Sequence, residues 1–341
     1  MKIRKLKLQQ LAIQFQAIVF TICAVGELQA DVMDACLLDA LNKAADKRTV
    51  ANIKAFCREK NGLQQQYVEA VEVADENLDA EEAVTLRMAS EDQAESNPFM
   101  LTAYKPNYLL FATYNESPNS QPWQQAYPDA HLDHGEAKYQ LSFKARMAKG
   151  VLGGELWGGY TQQSWWQLYN SDVSAPFRET NYEPELFLRW ETDNRVFGFK
   201  NRIYSLAFNH ESNGRGALLS RSWNRIIAAT TLEKDNFVIV GRAWYRIHEN
   251  KSDDDNPNIE RYLGYGDLSA LYKMKRHTFG MTLTNNLRSE NKSSLQLDWT
   301  FPLTERFKGY IQYYNGYGES LIDYDKNTNR IGFGVLLNDW L

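Results

Sequence analysis

Cysteine is scarce, at three in 341 residues. Cys23 falls in an N-terminal apolar run, and the Phe20-Thr21-Ile22 before it lacks the small residue that a lipoprotein signal needs. That leaves Cys36 and Cys57, an even pair with no metal-ligand spacing. A disulfide between them is expected in an oxidising compartment, and thiol catalysis is not. Long hydrophobic runs are also missing. Mean hydropathy is −0.54, which excludes a helical membrane protein because each helical span needs about 20 mostly apolar residues. A β-barrel survives this test, since only every second strand residue faces lipid. Nor is there a cationic excess. The 38 Lys and Arg against 43 Asp and Glu leave a net charge of −5, so no nucleic-acid partner is expected. A phosphate-binding glycine loop and a G-x-S-x-G nucleophile elbow are both absent.

What is present begins with aromatics, at 13% with 19 Tyr and 9 Trp. Such a content fits the interfacial girdles of a membrane barrel and equally a β-rich soluble or sugar-binding protein. Lys2, Arg4, Lys5 and Lys7 form a basic start, and Leu11 to Val25 is mostly apolar. Leu28-Gln29-Ala30 then offers a cleavage site before Asp31. Residues 1–30 therefore read as a secretory signal. The alternative is a membrane anchor, for which the run is short and interrupted by Gln14 and Gln16. Residues 31–97 read as a periplasmic extension. It is helical over Asp34 to Lys60, with Leu37, Leu41 and Ala45 at helical spacing, then acidic and solvated from Glu69 to Glu95.

From residue 98 to 341 the texture is that of a barrel. Tyr139, Leu141, Phe143 and Ala145 share one face, opposite Lys138, Gln140, Ser142 and Lys144. About twelve such segments are expected, near 106–115, 138–147, 154–167, 182–192, 195–212, 220–232, 237–248, 261–274, 278–285, 293–301, 306–316 and 329–340. Long polar connections at 116–137, 168–181, 249–260 and 317–328 alternate with tight turns at Thr192-Asp193-Asn194 and Lys234-Asp235-Asn236. Together these predict an all-β fold: a twelve-stranded antiparallel transmembrane β-barrel with a short, partly helical periplasmic N-terminal extension. A secreted β-sandwich also alternates its faces but lacks this long–short rhythm.

The strand ending near residue 212 carries the chemistry. Tyr204, Leu206, Phe208, His210 and Ser212 share the apolar, lipid-facing side. His and Ser two residues apart lie ~7 Å apart at Cα, close enough for the imidazole to serve the hydroxyl as general base. A hairpin into Ser220-Arg221-Ser222-Trp223-Asn224 brings Asn224 beside His210, where its amide oxygen can take the other ring N–H. Polar residues at a loop rim give the same pattern, so His-x-Ser alone is a weak signal. His131, His134, Asp129, Asp133 and Glu136 resemble a metal cluster but sit in a polar loop. Gly266-Asp267-Leu268-Ser269 reads as barrel wall.

Six stretches resemble the outer-membrane phospholipase A family: YTQQSWWQLYN (160–170), SAPFRETNYEPE (174–185), FNHESNGRG (208–216), SRSWNR (220–225), GYGESLIDY (316–324) and LLNDWL (336–341). The resemblance runs from about Asn97 to the C-terminus. It implies a calcium-dependent phospholipase A1/A2, active as a homodimer, that hydrolyses sn-1 and sn-2 acyl esters of membrane phospholipids to lysophospholipid and fatty acid. It further implies Ser212 as nucleophile, His210 as base, Asn224 as the residue orienting His210, and Gly214 as an oxyanion-hole N–H. Calcium would be held by the Arg215 carbonyl, Ser220 and a partner's copy of Ser174, with Gln162 in the dimer interface. The active site would face the outer leaflet. The loop Gly216-Ala217-Leu218-Leu219 is less polar than a calcium site leads one to expect. The alternatives are a small porin-like or structural barrel without catalysis, plugged by Arg242, Arg246, Asp298 and Lys308, and an adhesin-like barrel.

Overall fold

The computed structural model describes residues 83–94, 101–129, 131–171, 176–250, 252–304 and 307–339. The expected signal, the helix over 34–60 and the Cys36–Cys57 pair lie outside them. Twelve long strands form one antiparallel sheet: β1 (Asn107–Asn115), β2 (Gly135–Val151), β3 (Gly154–Trp166), β4 (Phe177–Glu191), β5 (Phe199–Ser212) and β6 (Ser222–Lys234). They are followed by β7 (Phe237–Ile247), β8 (Gly266–Met274), β9 (His277–Asn285), β10 (Ser293–Pro302), β11 (Lys308–Tyr317) and β12 (Asn327–Asn338). Each pairs with its sequence neighbour, and β12 pairs back onto β1, closing the barrel. Closure satisfies every strand edge, which hydrocarbon requires.

The alternation read from the sequence is the wall itself. Leu141, Phe143, Leu206, Phe208, Phe279, Met281, Leu297 and Trp299 are exposed on the outside. The intervening side chains point inward and are buried and polar: Lys138, Gln140, Ser142, Asn209, Arg225 and Gln312. Inside, Arg178 bridges Glu136 (2.9 Å) and Asp323 (2.6 Å). Arg330 pairs with Glu319, and Lys138 donates to Gln312 at 3.0 Å. The loop between β11 and β12 supplies Glu319 and Asp323 and buries Leu321 and Ile322, so it folds into the lumen.

One end of the barrel is built of tight turns with left-handed residues: Leu152 (φ 50°), Phe197 (φ 51°), Asp235 (φ 52°) and Lys275 (φ 54°). The turn at Lys234-Asp235-Asn236 is as expected. Thr192-Asp193-Asn194 is not the reversal. The chain runs on through Arg195–Val196, which pairs with Phe199 and Lys200 around Phe197-Gly198. Residues 261–265 are also not strand. Ile259–Leu263 is a one-turn helix ended at Gly264, and β8 begins at Gly266. Five residues are too few for periodicity to separate helix from strand.

The acidic stretch before the barrel contains α1 (Ala83–Ala94). One face of it is removed from solvent, with Ala83, Val84 and Glu91 buried. Val84 and Met88 pack on Val238, Val240, Ile203 and Leu271, which are inward-facing apolar positions at the tight-turn end. The Val84 N–H donates to Glu233 Oε1 at 2.5 Å, placing a carboxylate at the positive end of the helix. Glu91 bridges Lys144 (2.8 Å) and Arg189 (2.7 Å) and takes Arg87 one turn earlier at 3.1 Å. Burial disfavours the ionised Glu91, but Lys144, Arg87 and Arg189 outweigh it and hold the carboxyl below its usual range. Helix and wall together bound an internal cavity of about 460 Å³.

Candidate active site

The site lies where β5 and β6 reach the long-loop end. Leu206 and Phe208 are exposed while Ala207 and Asn209 are buried, so His210 and Ser212 share the outward face. The register pairs His210 with Asn224 and Ser212 with Ser222. Inward side chains lock this register: Arg225 Nε donates to Asn209 Oδ1 at 2.9 Å, and its Nη2 to Glu211 Oε2 at 2.9 Å. On the outside, His210 Nδ1 lies 2.8 Å from Asn224 Oδ1. An amide oxygen accepts only, so Nδ1 carries the proton and Nε2 is left with a free lone pair. No hydrogen bond joins Ser212 to His210 here. Such bonds are often loose without substrate and tighten in the reacting complex.

After Ser212 the chain turns out of the sheet. Gly214 has φ +62°, and a Cβ there would meet the Tyr182 ring at 3.2 Å. Glycine therefore serves both the left-handed backbone and the close approach. The turn is held by Asn213, a residue that spacing and motif left unassigned. Its Nδ2 donates to the Leu219 carbonyl (2.7 Å) and to Glu179 Oε1 (3.1 Å). Its Oδ1 accepts from the backbone N–H groups of Arg215 (3.2 Å) and Arg221 (3.0 Å). Arg215 reaches back to the carbonyls of Phe177 and Arg178 and stacks over Trp123.

Of the expected metal ligands, Ser174 lies outside the described residues. Ser220 Oγ sits 2.5 Å from Asp255 Oδ2. Ser220 and Asp255 supply two side-chain oxygens, one of them a carboxylate's, which is donor chemistry that suits a hard cation such as calcium. The residues present therefore fit the group. No His, Cys, Asp and Glu cluster of three or more could hold a metal among the described residues. His134 instead bonds the Asn115 carbonyl at 2.7 Å and stacks on Tyr114. Asp267 pairs with Arg242, and Ser269 meets Thr282, as barrel wall does. Gln162 is half-buried on β3, its Nε2 donating to Tyr139 Oη and Ser164 Oγ at 3.3 Å each.

The family model described as phospholipase A1 matches residues 84–337, so all of α1 but its first residue falls inside the match. The phospholipase A1 of Klebsiella pneumoniae is 40% identical over 253 residues, covering 72% of this chain and 85% of the relative. A putative phospholipase A1 of Neisseria meningitidis is 37% identical, over 69% of this chain and 65% of its own length. An active-site asparagine-to-alanine mutant of Escherichia coli outer membrane phospholipase A superposes with a TM-score of 0.69 at 38% identity. The match covers 74% of this chain and 97% of that one. The Salmonella typhi outer membrane phospholipase, a dimer with bound calcium, matches with a TM-score of 0.67 at 39% identity, over 71% and 94%. A closed twelve-stranded barrel, a match across 254 consecutive residues and relatives at 40% identity lead to one conclusion: this chain belongs to the phospholipase A1 family and is a phospholipase.

Proposed function

We propose that the chain hydrolyses sn-1 and sn-2 acyl esters of outer-membrane phospholipids with Ser212, His210 and Asn224, as a calcium-dependent homodimer. The observation that carries this is the 2.8 Å contact of His210 with Asn224 on the lipid-facing side, two residues along the strand from Ser212. The active-site asparagine of the Escherichia coli relative points the same way.

Ser212 Oγ attacks the ester carbonyl carbon and gives its proton to His210 Nε2. Asn224 Oδ1 holds the Nδ1–H, keeping the ring in the tautomer that leaves Nε2 basic. Gly214 N–H stabilises the oxyanion. Collapse expels the lysophospholipid alkoxide, which takes the proton from His210. Water, deprotonated by His210 Nε2, then attacks the acyl-serine carbonyl; the fatty acid leaves as Ser212 Oγ takes that proton back from His210. A neutral asparagine supports the imidazolium less than a carboxylate would, so further positive charge at the oxyanion is useful. Calcium bound by Ser220, the Arg215 carbonyl and Ser174 of a second copy would supply it. A site split between copies makes activity depend on dimerisation, and Gln162, polar on an outward face, would bond across the interface. The long-loop end would face the outer leaflet and α1 the periplasm.

The test is hydrolysis by the refolded barrel with calcium or with EDTA, alongside Ser212→Ala. Activity that needs both calcium and Ser212 supports the reading. Inactivity of a folded, dimeric, calcium-loaded barrel would remove it. A conducting barrel without catalysis is disfavoured by a lumen crossed by ion pairs and filled at one end by α1.

A further inference from the structure

A triad built on asparagine has an ambiguity that one built on aspartate lacks. The two ends of the amide are nearly the same shape, yet only the oxygen can accept from the imidazole. Something must determine which end faces His210. In this structure the far end of the Asn224 amide is not open to solvent alone: its Nδ2 donates to Glu249 Oε1 at 3.0 Å. An ionised carboxylate accepts and cannot donate. With the amide turned over, its NH₂ would meet the His210 N–H and its oxygen would meet the carboxylate, so both contacts would become repulsive. A hydroxyl at that position could bond either end and would not discriminate.

We infer that Glu249 is a positioning residue of the proposed triad, holding the Asn224 amide with its oxygen toward His210; the inference rests on the Ser212–His210–Asn224 reading. The placement follows from the fold. Register sets Ile247 opposite Asn224 across β6 and β7, so Glu249, two residues on, leaves the strand beside the amide. The loop it opens is anchored. Buried Arg246 donates to Asp254 Oδ1 at 2.6 Å and to the Asn256 carbonyl at 3.3 Å. The same loop touches the site at two further points, with Asn256 Oδ1 accepting from Ser222 N–H at 2.9 Å and Asp255 meeting Ser220. Half-buried beside the amide, the Glu249 carboxylate also polarises it, making its oxygen a better acceptor. It returns to the relay part of the negative charge that a neutral third member gives up.

The experiment uses the full refolded chain with calcium on mixed micelles of a short-chain phosphatidylcholine. Folding is checked by heat-modified electrophoretic mobility. Glu249→Ala should lower kcat about tenfold and Glu249→Gln, which keeps an acceptor oxygen, about threefold, with KM unchanged in both. The decisive arm is the Asn224→Asp background, where two carboxylates would face each other. There Glu249→Gln should raise activity, the opposite of its effect on the unaltered triad. A role confined to holding the loop predicts losses of the same sign in both backgrounds, and that result overturns the inference. So does an unchanged kcat in Glu249→Ala. If Glu249→Ala does not fold, the two Gln variants decide. If Asn224→Ala leaves kcat intact, the triad reading itself falls. If Asn224→Ala is inactive while the Glu249 variants match the unaltered protein, only the inference does.

Discussion

Replacing Asn213 with alanine should silence the site while leaving the barrel standing. Its side chain closes the turn after Ser212 through the Leu219 carbonyl and the N–H groups of Arg215 and Arg221. The residue is 4% exposed, so water cannot easily take over these partners. Three backbone bonds at about 1 kcal/mol each make about 3 kcal/mol, or about two orders of magnitude in kcat/KM if the loop must be closed for turnover. The β5–β6 ladder does not use this side chain, so thermal unfolding in micelles should hardly move. The assay is phospholipid hydrolysis paired with labelling of Ser212 by a sulfonyl fluoride, both of which should fall together. An Asn213→Ala barrel with wild-type kcat/KM would show that the turn is held by Gly214 and the strand ends alone.

Two further outcomes follow from the lumen. Glu91→Gln removes the carboxylate between Lys144 and Arg189; loss of a buried partner costs about 3–5 kcal/mol, so trypsin cleavage at Arg87 should accelerate, and an unchanged rate would count against α1 being latched by this network. Burial alone would raise the Glu319 carboxyl, but Arg330 and Lys138 hold it at about 2. A depressed folded-state value means its stabilisation is complete above the unfolded carboxyl range and is lost as pH falls from 4.5 toward 2. Guanidinium unfolding of the intact chain should weaken across that window, and Glu319→Gln should flatten the dependence.

The strands were legible because lipid on one side and a polar lumen on the other impose a period of two that no local preference overrides. His210 and Ser212 could be placed from that period, and Asn224 from the hairpin between β5 and β6. The residues that escaped are those whose partners are remote in sequence. Nothing in AVTLRMASEDQA shows that one face of it is covered, since Arg87 and Glu91 read as solvent-facing until Lys144, Arg189 and the Tyr104 carbonyl surround them. A signal did exist in Phe237-Val238-Ile239-Val240, which is apolar on both faces where a barrel strand should alternate. Residues 261–263 read as strand from the sequence, although they close a short helix, because so short a run carries no period of its own.

By itself the sequence determined the wall: which residues face lipid, how many strands there are, and which adjacent pair bears the histidine and serine. These properties depend on neighbours two or a few residues apart. Only the tertiary structure decided the seating of α1 in the lumen and the convergence of Asn213, Glu249 and Asp255 on the long-loop rim beside His210 and Ser212. Those depend on register summed around a closed sheet and on charges brought together from strands and loops far apart in the chain. A charged side chain is stable in such a place only when the completed barrel supplies its partner.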